Sequence, residues 1–87
     1  LDGSISHTGD VTTKIQFETS TIKLDTAGTT RLNINNSGAI VTGISTFSSN
    51  IDANGNLDVD GQTDSDDVVI AGVSTFNDGI TLGTNST

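Results

Sequence analysis

KIQFETSTIKLDTAGTTRLNIN, residues 14–35, contains three short runs in which an apolar residue stands at every second place. Ile15 and Phe17 share one face of the first run, Ile22 and Leu24 one face of the second, and Leu32 and Ile34 one face of the third. A period of two marks a half-buried strand, because successive side chains of an extended chain point to opposite faces. ETS separates the first two runs, DTAGT with Gly28 separates the next two, and NNSG with Gly38 follows the third. These are residues that accept tight turns and positive φ. Leu57 and Val59 repeat the alternation after DANGN. No window of eleven or more residues carries a 3.6 period, and the abundance of Thr, Ser, Asn and Gly disfavours helix. The expected class is therefore all-β, built from short strands and Gly/Asn turns.

Ile, Val, Leu and Phe supply about a quarter of the 87 residues, above the level that signals disorder. Phe17, Phe47 and Phe76 are the only aromatics, and Trp, Tyr, Met and Cys are absent. A chain of this size buries only about 60 to 65% of its unfolded surface, and one small core rarely supplies more than ~3–5 kcal/mol. Without disulfides or thiolate metal sites, self-association is the expected source of further stability. The first residue, Leu1, suggests a fragment of a longer protein.

Eleven acids face three bases, for a net charge of −8. Lys14, Lys23 and Arg31 are those bases, so everything after Arg31 is acidic: Asp52, Asp58, Asp60, Asp64, Asp66, Asp67 and Asp78. Repulsion opposes binding to nucleic-acid backbones and to anionic lipid. No apolar run approaches the ~18 residues of a membrane-spanning helix, so membrane insertion is not expected either.

The second half contains a repeat. VTGISTFSSNIDANGN (41–56) and IAGVSTFNDGITLGTN (70–85) align without a gap, matching Gly43 with Gly72, Phe47 with Phe76, Ile51 with Ile80 and Asn56 with Asn85. A short repeat that cannot close its own core points to stacked or intertwined architecture. Residues 1–40 are read as a strand-and-turn region and 41–87 as stem repeats. The simplest assembly is an elongated, intertwined homotrimeric β-fibre of β-helix, β-spiral or β-prism type. Phe47, Phe76, Ile51, Ile80, Leu57 and Val59 are the candidates for its core.

NLDVDGQTDSDD (56–67) places Asn56, Asp58 and Asp60 on positions 1, 3 and 5 of an EF-hand loop, Gly61 on position 6 and Asp67 on position 12. Against that reading, Thr63 stands where the loop normally has an apolar β-branched residue, and Asp67 is shorter than the usual bidentate Glu. The flanks, IDANG and VVIAGVSTF, are not amphipathic helices. The preferred reading is an outward strand face ending in a turn at Asp60 and Gly61. No cofactor is expected, and a weak surface calcium site at Asn56, Asp58, Asp60 and Asp67 is the alternative.

No catalytic residue is assigned. His7 lies among turn formers in SISHTGD, and Ser, His and Asp are too common in this chain to define a triad. Asp66 and Asp67 are adjacent, so on a strand they point to opposite faces. None of the glycines opens a helix, as a phosphate loop requires.

HTGDVTTKIQF (7–17) and AGTTRLNINNSGAI (27–40) resemble a segment recurrent in tail-fibre and other virion structural proteins of marine bacteriophages, notably those infecting cyanobacteria. Related fibres carry Gly, two residues, Arg, Leu or Met, any residue, Ile and then a turn with Gly. Gly28, Arg31, Leu32, Ile34 and Gly38 occupy those places. GISTF and GVSTF, with LDVDGQTDSDDVVIAG between them, are similar to the stem repeats of the same proteins. The resemblance implies an extracellular virion fibre, typically a parallel homotrimer, that joins other fibre or baseplate proteins and supports host attachment. Self-cleaving chaperone domains and metal-holding histidine tips of such fibres have no counterpart in these residues, so the receptor-reading tip is expected to lie outside this segment. A calcium-dependent bacterial surface adhesin repeat is the alternative from another class.

Overall fold

The computed structural model describes residues 3–83. The chain divides into two units, Leu1–Asp52 and Ala53–Thr87. All of the regular structure among the described residues is in the first. Five strands, β1 (Ser4–His7), β2 (Asp10–Glu18), β3 (Thr21–Thr26), β4 (Thr29–Asn35) and β5 (Gly38–Val41), form one antiparallel sheet whose spatial order is the chain order. The class is all-β, and the three alternating runs of the sequence are β2, β3 and β4.

Each pair of strands is joined by a two-residue connection. The link from β3 to β4 has both central residues in the left-handed region, Ala27 at φ 48° and Gly28 at φ 80°. That is the backbone of a type I′ turn, whose twist matches the strands it joins. Only Gly enters this region without a Cβ penalty, which accounts for Gly28. Two further bonds secure the turn against the long strand β2: Gly28 N–H donates to Thr12 O at 3.0 Å and Ala27 N–H to Thr13 Oγ1 at 3.4 Å. The β4–β5 turn is shaped by Asn35, whose Oδ1 accepts from Ser37 N–H at 2.8 Å.

The register sorts the side chains into two faces. One row across the sheet reads Ile5, Ile15, Leu24, Leu32 and Val41, and the next reads Phe17, Ile22, Ile34 and Ala39. Every member of both rows is apolar. The intervening row, on the opposite face, reads Ser4, Gln16, Lys23, Asn33 and Ile40. A slip of one residue would exchange the two faces, so the alternation fixes the register.

A bulge interrupts the regularity. Leu24 faces Leu32 while Asp25 faces Thr30, which leaves Arg31 as the extra residue of β4. Its carbonyl accepts a hydrogen bond from Thr42 N–H at 2.9 Å, just beyond β5. Its guanidinium lies over Gly43 (φ 110°), where an added Cβ would stand 3.3 Å from Nη1. Arg31 thus joins the sheet to the start of the repeat region.

Residues 42–83 contain no strand or helix. Leu57 and Val59, expected to alternate on a strand, lie in irregular chain followed by a bend at Asp60 and Gly61. A strand exists only where its backbone groups have a partner, and alternation alone does not supply one. The two repeat copies nevertheless bend at matching places, at Gly43 and Gly72 and again at Ser48–Ser49 and Asn77–Asp78. Asn85, the last residue of the second copy, lies outside the described residues.

No hydrophobic residue among those described is buried. Asp25, on the central strand, is the sole buried polar residue among them, at 9% exposure.

Candidate functional site

Four features could carry function: the acidic stretch, the repeat phenylalanines, the polar clusters of the sheet, and its apolar face. The acidic stretch does not gather its ligand candidates. Among the described residues no three carboxylate, imidazole or thiol groups approach as a metal-holding set, so Asn56, Asp58, Asp60 and Asp67 form no such centre here. All four are exposed.

The core candidates are exposed as well. Phe47 and Ile51 lie in the first unit, and Leu57, Val59, Phe76 and Ile80 in the second; each presents about half or more of its surface to solvent.

The polar clusters of the sheet serve the fold. Asp10 Oδ1 accepts from Thr12 Oγ1 at 2.6 Å and from Thr12 N–H at 3.2 Å, while Oδ2 accepts from Thr13 Oγ1 at 2.8 Å. These bonds, that from the Thr12 hydroxyl first, hold the Asp10 carboxyl below its ordinary value of 3.8. Since Thr13 Oγ1 also accepts from Ala27 N–H, one hydroxyl links the β1–β2 turn to the β3–β4 turn. Lys23 donates to Glu18 at 2.5 Å across the β2–β3 hairpin, which raises the lysine pKa. Neither the threonine relay nor this pair was legible beforehand, because both depend on register.

His7 is the last residue of β1 and pairs with Asp10, a correction to its expected place within the turn, which Thr8 and Gly9 make instead. Ser6, His7 and Asp25 line one open depression of about 390 Å³. Among the described residues no hydrogen bond links them, and Asp25 Oδ1 has no hydrogen-bond partner there.

The apolar face is different in kind. Nine apolar residues from five strands occupy two adjacent rows, and seven of the large ones keep between 37% (Leu24) and 53% (Val41) of their surface open. The two rows thus form one contiguous, half-exposed apolar patch. No helix among the described residues is long and apolar enough to cross a membrane.

Compared with known proteins, the chain matches no family model, no curated protein and no solved structure.

Proposed function

We propose that this chain is a structural segment of a virion fibre, its motifs resembling those of the tail fibres of marine bacteriophages, and that it supports host attachment as part of a homotrimer. The observation that carries the reading is a complete five-stranded sheet without a single buried hydrophobic residue among those described. The described residues have secondary structure but no interior, and a layer of this kind gains its core by packing on another layer. The motif residues Gly28 and Arg31 support it further, since one makes the type I′ turn and the other the bulge that ties sheet to repeat. In this reading the protein is not an enzyme. It stands on the outside of a virus particle, contacts other fibre or baseplate proteins, and serves receptor binding indirectly. The repeat-bearing chain from residue 41 onward is the stem, with Phe47 and Phe76 turned to a threefold axis.

The charge suits salt water. Three chains carry about −24, three times −8, yet near 1 M salt the Debye length falls to ~3 Å and surface repulsion is screened.

The solution mass tests the reading directly. Sedimentation should give three times 8.9 kDa, and Phe47→Ala, which removes three rings from one layer, should dissociate or unfold the trimer. Truncating a Phe buried at such an axis costs ~3–5 kcal/mol per chain. Asp58→Asn should leave the trimer intact. Antibodies against the chain should decorate fibres on virus particles. A compact, stable monomer, or a Phe47→Ala trimer of undiminished stability, overturns the threefold model. The run of aspartates from Asp58 to Asp67 favours the adhesin as second reading, and antibody labelling of a bacterial surface would support it instead.

A further inference from the structure

We propose that the apolar face of the five-stranded sheet is a self-association surface, and that its occupant is the same face of another copy of this chain. The inference deepens the assembly reading above by adding an interface in residues 4–41, separate from the phenylalanines of the repeat.

Area is the first argument. Seven large residues that keep 37 to 53% of their surface open, at roughly 200 Å² for a large apolar residue, leave about 600 Å² of mostly apolar surface per copy. A standard interface covers about 800 Å² per partner, a little over half of it apolar. The face therefore offers the apolar contribution that a stable association between two copies uses.

Charge is the second, and it selects the occupant. Residues 4–41 hold three acids, Asp10, Glu18 and Asp25, and three bases, Lys14, Lys23 and Arg31, so the sheet is electroneutral. The whole of the −8 lies outside it. Strand alternation puts Lys14, Lys23, Asp25 and Glu18 on the face opposite the apolar rows. The apolar rows themselves hold no charged residue, so the rows of a second copy set no like charge directly against those of the first, while a strongly charged partner finds nothing in them to pair with. Like charges brought together in an interface would otherwise oppose association.

Shape agrees. Two twisted sheets pack face to face about 10 Å apart, with side chains of the inner faces interleaved. Rows of Ile, Val, Leu, Phe and Ala side chains, free of glycine inside the rows, suit that packing.

Single cysteines test the inference, since the chain has none of its own. Ala39→Cys lies in an apolar row and replaces one small exposed side chain by another; Lys23→Cys lies on the opposite face. With a short bis-maleimide at micromolar protein, Ala39→Cys should cross-link at least tenfold more efficiently than Lys23→Cys, and excess unlabelled wild type should dilute the product. Leu24→Asp, in the middle of the face, should lower the sedimenting mass. If that variant unfolds, the Ala39→Cys comparison alone decides. Equal cross-linking from the two faces, a folded Leu24→Asp protein of unchanged mass, or a wild type that stays monomeric overturns the inference. A dimer cross-linked through Ala39→Cys upholds the face and sinks the threefold fibre. A trimer cross-linked only through Lys23→Cys does the reverse.

Discussion

Replacing Gly28 by alanine and, separately, Ala27 by glycine should move stability in opposite directions by similar amounts. Both residues hold left-handed backbone, at φ 80° and φ 48°. A residue with a Cβ is disfavoured there by ~1–2 kcal/mol, and glycine loses roughly 0.4–1 kcal/mol more backbone freedom than alanine on folding. The net is about 1 kcal/mol in favour of glycine. A Cβ added to Gly28 meets no atom within 4 Å, so clashes contribute nothing and the difference is conformational alone. The bonds that fasten this turn to Thr12 and Thr13 come from backbone N–H groups and survive both changes. Gly28→Ala should thus destabilise by ~1 kcal/mol and Ala27→Gly stabilise by about as much, which for a small domain is a Tm change of roughly 4–8 °C in each direction. Ala27→Asn, which makes the Asn-Gly pair that type I′ turns prefer, should also raise Tm. Circular-dichroism melts read the result. Equal Tm for Gly28→Ala and wild type, or two shifts of the same sign, would refute the reasoning.

Acid should weaken the β1–β2 turn. The Asp10 carboxyl is held below 3.8 by Thr12 and Thr13, so its contribution to stability is complete above that pH and disappears as pH falls through the lower folded value. Thr12→Val should raise the Asp10 titration seen by NMR, and a wild-type Asp10 titrating at its ordinary value contradicts the assignment. Excess chelator should leave Tm almost unchanged at moderate salt. A loss of several degrees, restored by calcium and abolished in Asp58→Ala, promotes the adhesin reading, because ligand at 100 times its Kd stabilises by ~2.7 kcal/mol. His7→Ala should change stability by no more than about 0.5 kcal/mol, as exposed substitutions usually do; loss of a hydrolytic activity in that variant would show His7 to be chemical.

The centre of the sheet was readable because Ile15 and Phe17, Ile22 and Leu24, and Leu32 and Ile34 alternate cleanly and the links between them are turn-forming. The outer strands were harder. Ile5 is the lone large apolar residue of β1, and β5 has Ile40 and Val41 side by side, so neither shows a period of two. Their pairing partners identify them, and partners are not written in a local run. The same physics works in reverse at Leu57 and Val59, where alternation is present and no partner strand is. Asp25 was invisible for another reason: its burial follows from a central place in β3, between Lys14 and Thr30. The acidic ligand pattern matches a template by spacing alone, and spacing does not say whether side chains converge; among the described residues no three carboxylate, imidazole or thiol groups stand together as a metal-holding set.

Because the strands lie side by side in the order in which they are synthesised, no pairing waits for a long loop to close. Short loops carry little closure entropy, hairpins form in about 1–10 μs, and topologies rich in local contacts fold quickly. Each new strand can zip onto its predecessor as it emerges from the ribosome. In the proposed assembly, joining of copies is second order in protein and comes afterwards. Refolding should therefore begin with a fast phase indifferent to concentration and finish with a phase that slows on dilution, so that synthesis rate governs the sheet while local abundance governs the assembly.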